Sequence, residues 1–241
     1  RGDPVFPSPM KPSAREPRRA LHIETVSDLI SPWCYISRRR LNRALGRIAG
    51  SLAPDVTWAP YEINPEMPAG GMALEAYLAG VFGTADAARP ILEALSEAGR
   101  AEGIHFRFDR IPVVPNTFDA HRLVLLAEQE ERSDDVVERL FRAFFEEGRD
   151  IGDRRVLGEI GESAGMNPSL VQAELDADTI RGEVLARQAR IRRSGLTGVP
   201  GLIVNGTVAV LGAQEPETIV AAIDQALFPA LQGEDGPVTV H

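Results

Sequence analysis

Residues Ser27–Leu45 read SDLISPWCYISRRRLNRAL, and a strand ends and a helix begins inside this segment. The residues just before it, Leu21–Ser27, alternate apolar and polar side chains, a pattern typical of a strand. Trp33–Ile48 places its apolar residues on one stripe of a helix, and Val56–Ile63 alternates again. These three elements predict a β-α-β unit, short enough to be joined by one right-handed crossover.

The remainder of the chain predicts a helical block followed by a β-hairpin and a last helix. The hairpin consists of Gly201–Asn205 and Val208–Leu211, since Asn-Gly is a strong turn signal, and the last helix is Glu215–Ala226. The helical block is predicted as Met72–Val81, Ala87–Glu102, Thr117–Gln129, Ser133–Glu147, Asp153–Ala164, Pro168–Leu175 and Thr179–Ser194. The order is that of a thioredoxin fold with a large all-helical insertion, whereas alternation alone establishes only the α/β class.

These elements divide the chain into four predicted regions. Residues 1–20 form a Pro-rich N-terminal arm, and residues 231–241 a flexible tail. Residues 21–65 together with 195–230 form the thioredoxin domain, and residues 66–194 the helical insertion. The arm is either flexible or packs along a neighbouring subunit, so a homodimer is one arrangement that we expect.

The composition excludes several classes of protein. The chain has 241 residues, a formal net charge of −9 and one cysteine. A single cysteine excludes an intramolecular disulfide, a cysteine-based zinc site and a C-x-x-C redox pair, and we expect no other metal site. The acidic balance argues against nucleic acid as a partner. No apolar run is long enough to cross a membrane, so we expect a cytoplasmic protein, with removal of a signal segment before Arg1 as the open alternative.

The turn before the first predicted helix carries the candidate chemistry. Ser31 and Cys34 lie where a helix N-terminus offers free N–H groups and a positive dipole end, both of which favour an anion such as a thiolate. Pro32 suits the first helical turn. Structural roles are the alternatives for two of these residues: Cys34 can be a small buried side chain, and Ser31 can be a helix cap only. Trp33 and Tyr35 can be packing residues or can form the walls of a substrate cleft.

Four segments resemble the DsbA-like family of thioredoxin-fold proteins, and within it the FrnE-type oxidoreductases. The first is the segment quoted above, in which those proteins have C-P-W-C-Y. The other three are YEINPEMPAGG (Tyr61–Gly71), PNTFDAHRL (Pro115–Leu123) and TGVPGLIVNGTVAVLGAQ (Thr197–Gln214). They occur in the same order as in the family and span nearly the whole chain outside the arm and the tail.

The resemblance implies that Ser31 stands where redox members have the attacking cysteine. A serine hydroxyl does not replace a thiolate in disulfide exchange, so dithiol cycling is excluded within one chain. The motif is also similar to the S-P-Y-S turn of kappa-class glutathione transferases and 2-hydroxychromene-2-carboxylate isomerases. That similarity implies a Ser31 hydroxyl that hydrogen-bonds the sulfur of bound glutathione.

The same resemblance implies further residues that bind glutathione or a substrate. Val199-Pro200 resembles the X-cis-Pro loop that presents a short backbone edge to a peptide or to glutathione. Asn64 corresponds to an asparagine that helps line the site. Near Gln214 the glutathione-using relatives carry an acidic residue for the γ-glutamyl amine, a role that Glu215 or helix amides could fill here.

Three functional hypotheses follow. The first is an enzyme that uses glutathione or another thiol at Ser31, as an isomerase or transferase acting on a small electrophile. The second is a disulfide oxidoreductase relative that works through Cys34 alone, and the third is a redox-inactive module that binds a thiol or peptide. Two further side-chain interpretations accompany them: His121 makes a polar contact or serves as a base, and the run Arg38–Arg40 is a solvated helix face or, as the alternative, binds an anionic ligand.

Overall fold

The computed structural model describes residues 19–50 and 52–228. The predicted tail, and the predicted arm apart from its last two residues, fall outside these ranges. In chain order the elements are β1 (Arg19–Ser27), α1 (Pro32–Ile48), β2 (Leu52–Pro60), β3 (Met72–Ala73), α2 (Leu74–Phe82), α3 (Arg89–Ala101), β4 (Val113–Val114), α4 (Phe118–Gln129), α5 (Ser133–Phe145), α6 (Arg154–Ser163), α7 (Pro168–Ala177), α8 (Arg181–Arg193), β5 (Gly201–Val204), β6 (Thr207–Leu211) and α9 (Pro216–Leu227), with short 3-10 helices at Asp86–Ala88 and Phe108–Arg110.

The main sheet has the strand order β2-β1-β5-β6, with β1 and β2 parallel and the other pairs antiparallel. This is the thioredoxin arrangement, so the predicted fold is confirmed. The prediction of β2 as Val56–Ile63 is wrong in position: the strand pairs residue by residue with β1, and Ser27 at the end of β1 lies opposite Pro60. Alternation continues past Pro60 in the sequence, but no strand remains there to pair with it.

The two faces of the sheet have different partners. Leu21 and Ile23 of β1 pack with Leu41 of α1 and Ile219 of α9 on one face. On the opposite face Val26 packs with Ile191, from the last helix of the insertion. Because side chains alternate along a strand, β1 is buried on both faces of the sheet. It therefore holds the turn at its end between α1 on one face and the insertion on the other.

The insertion is helical except for one short β-ladder, which the sequence analysis did not predict. Met72 and Ala73 of β3 pair with Val114 and Val113 of β4. Gly71 precedes the ladder with φ +71, and a Cβ there would lie 2.5 Å from Val113 and 2.6 Å from the carbonyl oxygen of Val114. The close approach of the two segments therefore requires glycine at this position.

The arginine run of α1 binds the rest of the molecule, so its interpretation as a solvated helix face is wrong. Arg38 pairs with Glu138 of α5 at 3.2 Å. Arg40 pairs at 2.9 Å with Glu102, whose side chain is 3% exposed, and donates to the carbonyl oxygen of Ala213 at 2.7 Å. These contacts tie α1 both to the insertion and to the loop before α9.

Candidate active site at the N-terminus of helix α1

Ser31 caps helix α1. Its backbone is extended (φ −91, ψ 114), and its hydroxyl oxygen accepts a hydrogen bond from the N–H of Cys34 at 3.3 Å. Its own N–H donates to the carbonyl oxygen of Asp28 at 3.2 Å, which closes the turn. Pro32 follows as the first helical residue, where a missing N–H costs nothing. The N–H of Trp33 donates to no residue in the described part of the chain, so one helix-terminal donor remains unused.

Cys34 lies beneath this turn. Its side chain is 1% exposed, and burial raises the pKa of the thiol to about 11, although hydrogen bonds from Ser31 and Ser27 oppose the rise. Cys34, Ser27 and Pro200 line one cavity of about 40 Å³, a volume suited to about one water molecule. This placement agrees with a structural thiol and gives little support to a reactive one.

We expect Cys34 to resist alkylation. With a pKa of about 11, its thiolate fraction at about pH 8 is about a hundredfold smaller than that of an unperturbed cysteine. Iodoacetamide should therefore modify the folded protein at least about a hundredfold more slowly than the same protein in denaturant. Modification at equal rates in the two states, followed by mass spectrometry, would contradict the buried placement.

Trp33 and Tyr35 point to different surroundings. Trp33 is 43% exposed and is the accessible side chain of the turn. Tyr35 is fully buried, with its ring stacked on Phe141 at 4.9 Å between centroids and its hydroxyl 2.8 Å from a carboxylate oxygen of Glu146. Of the two alternatives for these residues, the structure gives Tyr35 the packing position and leaves Trp33 beside the candidate site.

The Val199–Pro200 peptide bond is cis. Pro200 shares the small cavity with Cys34, and its carbonyl oxygen accepts from the N–H of Gly212 at 2.8 Å. The backbone N–H and C=O of Val199 have no hydrogen-bond partner within residues 19–50 and 52–228. Val199 therefore offers an unused backbone edge, of the kind that an extended peptide can pair with.

The remaining predicted residues are farther from this centre. The side-chain amide of Gln214 donates to the carbonyl oxygen of Leu211 at 2.9 Å, and Glu215 pairs with Arg40 at 2.8 Å. Asn64 donates to the hydroxyl of Tyr77 at 3.2 Å. Within residues 19–50 and 52–228 none of these three side chains shares a hydrogen bond or ion pair with Ser31 or Cys34, whereas a hydrogen bond joins Ser31 to Cys34 and a shared cavity joins Cys34 to Pro200.

Sequence reasoning missed a buried polar chain under the turn. One carboxylate oxygen of Asp28 accepts from the N–H of Ile63 at 2.7 Å, and the other lies 3.4 Å from Nε2 of His121, with both side chains fully buried. Nδ1 of His121 accepts from Nε1–H of Trp58 at 3.0 Å. Because an indole N–H only donates, the imidazole proton lies on Nε2, facing Asp28. His121 thus makes a polar contact that links β2 to the turn.

Comparison with known proteins agrees with this architecture. Residues 22–224 match the DSBA-like thioredoxin domain, which is most of the chain. The chain belongs to the DSBA-like thioredoxin domain family. In this family member the residue that caps α1 is Ser31, and Cys34 lies one turn into the helix.

Three solved structures of this fold are similar to the chain. A probable DsbA oxidoreductase from Streptomyces coelicolor is 28% identical with a TM-score of 0.79, over 92% of this chain and 94% of that one. A 2-hydroxychromene-2-carboxylate isomerase is 13% identical with a TM-score of 0.65, over 87% and 98%. The cytosolic disulfide reductase DsbM from Pseudomonas aeruginosa, solved with glutathione, is 22% identical with a TM-score of 0.60, over 86% and 98%. The relatives thus comprise oxidoreductases and an isomerase.

Residues 19–50 and 52–228 contain neither a cluster of metal ligands nor a membrane-spanning helix. Within residues 19–50 and 52–228, no three His, Cys, Asp or Glu side chains are grouped so that they could hold a metal ion. None of the helices in that part of the chain combines the length and the apolar character that a membrane crossing needs.

Proposed function

We propose that this DSBA-like protein is a thiol-dependent isomerase or transferase that acts on a small electrophile and uses glutathione or a similar thiol as its nucleophile. The observation that supports this proposal most is the position of Ser31. Its hydroxyl caps the N-terminus of α1, above a cysteine whose thiol is buried and neutral. Such a centre can stabilise a thiolate that arrives with a ligand, because hydroxyl and amide donors and the helix dipole all favour an anion there.

The residues present suit a bound thiol in part. The free N–H of Trp33 can donate to sulfur, and so can the Ser31 hydroxyl once its one proton turns from the Cys34 thiol to the ligand. The unpaired backbone of Val199 can pair with a cysteinyl unit. The glutathione complex of the Pseudomonas aeruginosa reductase supports this choice of thiol, and the cytosolic location of that relative favours a cytoplasmic protein. Glu215 already pairs with Arg40, so the γ-glutamyl amine needs a different partner.

The proposed role of the protein's own residues is to hold and orient the bound glutathione. Bound glutathione would supply a thiolate nucleophile for an electrophilic double bond: in a transferase the displaced electron pair would take up a proton from water, and in an isomerase it would expel the thiolate again after bond rotation. Ser31 lowers the pKa of the bound thiol by donating to its sulfur, and Val199 fixes the peptide backbone. Cys34 takes no part in this scheme, since its thiol is buried and protonated at neutral pH.

The test is glutathione binding and conjugation in the parent and in Ser31→Ala. We expect the parent to bind glutathione at millimolar concentration or below in calorimetry. Loss of the Ser31 hydroxyl should lower the rate of conjugation to a general electrophile by about 10–100-fold, the value of one hydrogen bond to a charged group. In the same variant the ultraviolet absorption of the bound thiolate should develop at a higher pH, because the pKa of the bound thiol is higher without the Ser31 hydroxyl.

A matched variant separates this proposal from the other hypotheses. Cys34→Ala should keep glutathione binding and conjugation if the thiol arrives with the ligand, whereas loss of activity in Cys34→Ala would favour a single-cysteine oxidoreductase. No detectable binding of glutathione by the parent at millimolar concentration would refute the proposal, and peptide binding without turnover would favour a redox-inactive module.

A further inference from the structure

A second cleft, of about 590 Å³, lies beside the candidate active site without including Ser31 or Cys34. Glu62 and Pro65 from the segment after β2 form one side of it. Phe118 of α4 and residues of α8, among them Leu185 and Arg192, line it as well. The cleft is close to the turn, since Glu62 precedes Ile63, whose N–H binds the carboxylate of Asp28.

Two of its arginines, Arg192 and Arg181, have guanidinium groups with few hydrogen-bond partners. Arg192 lies over the ring of Tyr61 at 4.7 Å and donates to the carbonyl oxygen of Glu62 at 3.2 Å, but forms no salt bridge with a described residue. Arg181 lies over the ring of Phe118 at 4.8 Å, and its nearest carboxylate, that of Asp178, is 3.8 Å away. A guanidinium has five N–H donors, so most of the donors on these two side chains are unused.

The acidic residues of the cleft do not cancel this positive charge. Asp119 is already paired with Arg122 at 2.7 Å and with Arg154 at 2.8 Å. Glu62 is 5% exposed and accepts from the side-chain amide of Gln188 at 2.9 Å. Burial raises the pKa of the Glu62 carboxyl, although the Gln188 hydrogen bond opposes the rise. In a chain with a net charge of −9, the walls of this cleft are therefore locally cationic.

The cleft also offers apolar surface. Leu185 is 47% exposed and, with the ring of Phe118, provides a surface for a flat apolar body. An arginine stacked on an aromatic ring is held in place and keeps its edge donors free, a geometry suited to carboxylate and phosphate groups.

We propose that this cleft binds a small organic anion, with its carboxylate or phosphate group on Arg181 and Arg192 and its apolar body against Leu185 and Phe118. The proposal is independent of the function proposed above, because none of these residues belongs to the thiol centre. It can therefore be tested without any thiol present.

The experiment is a calorimetric titration with three probes: benzoate, its neutral analogue benzamide, and inorganic phosphate. We expect benzoate to bind and benzamide to bind at least about tenfold more weakly, since only benzoate carries the oxyanion. Arg181→Ala and Arg192→Ala should each weaken benzoate binding about tenfold. Arg192→Lys should give an intermediate affinity, because it keeps the charge and loses the planar fork.

Two further variants make the test specific. Arg155→Ala removes an exposed arginine of α6 that lies outside the cleft and pairs with Glu159 at 2.5 Å, and it should leave binding unchanged. Leu185→Ala should weaken benzoate but not phosphate, which distinguishes an aromatic ligand from phosphate alone. Absence of binding by both anions up to about 10 mM would overturn the proposal. Equal affinities in the parent, Arg181→Ala and Arg192→Ala would overturn it as well.

Discussion

Replacing Ser31 with cysteine is expected to give this protein a disulfide-exchange activity that the parent lacks. The new thiol would occupy the cap of α1, where the helix terminus lowers the pKa of a thiol, while burial raises the pKa of the Cys34 thiol. The pair would then consist of one attacking and one protected sulfur. We expect turnover of a disulfide substrate to rise at least about a hundredfold over the parent, because thiolate replaces a hydroxyl that cannot exchange.

Two measurements check this expectation. After treatment with oxidised glutathione, Ser31→Cys should lose both of its free thiols to one intramolecular disulfide, whereas the parent keeps its single thiol. The double variant Ser31→Cys/Cys34→Ala should accumulate a mixed disulfide and turn over slowly. If Ser31→Cys retains two free thiols under these conditions, the turn does not hold the two sulfur positions within bonding distance, and the expected gain of disulfide exchange fails.

Replacing Arg122 with methionine is expected to cause a large loss of stability. Arg122 is fully buried and pairs with Asp119 at 2.7 Å, Asp178 at 2.8 Å and Glu174 at 3.0 Å. Glu174 is itself 4% exposed, so removal of the guanidinium leaves a buried carboxylate without its cation. Removal of one partner from such a group costs about 3–5 kcal/mol, which should be visible as a lower urea midpoint.

The pH dependence and a second substitution test the cause. Burial opposes ionisation of Glu174, but hydrogen bonds from Thr179, Ile180 and Arg122 outweigh it and hold the pKa of the carboxyl below its usual value of 4.5. This contribution to stability is therefore present above about pH 4.5 and is lost as the pH falls through the lowered value. The loss of stability caused by Arg122→Met should be smaller in acid. In the double variant Arg122→Met/Glu174→Gln, more than half of that loss should be recovered at neutral pH. Arg155→Ala serves as the control, and a penalty that is the same at every pH would contradict the charge argument.

The sequence predicts those parts of the fold that depend on local rules. Asp153 and Asn167 cap α6 and α7; their residue types favour this role, and a cap is decided within three residues. Gly165 and Gly195 follow helices with positive φ, a conformation that favours glycine. The position of β2 was predicted wrongly, because a strand ends where its neighbour in the sheet ends, and that neighbour lies about 30 residues earlier in the chain.

The candidate site likewise has features that the sequence predicts and features that it does not. The place of Ser31 at a helix cap follows from the sequence of the turn. The surroundings of Tyr35, Arg38 and His121 do not, because each side chain meets residues about 60–110 positions away, across the boundary between the thioredoxin part and the insertion. Asp28 gave a signal that was not used: an acidic residue directly before the apolar pair Leu29-Ile30, three places before the cap, is costly to bury unless it is satisfied in the interior.

The contrast between the two tryptophans of the chain has a spectroscopic consequence. Trp33 is 43% exposed at the turn, and Trp58 is 5% exposed with its indole N–H bound to His121. An indole in water emits at longer wavelength than one in an apolar interior, so the long-wavelength side of the emission spectrum reports on the surface of the turn. The short-wavelength side reports on the polar chain beneath it, and the unlabelled protein thus carries two optical probes with different surroundings.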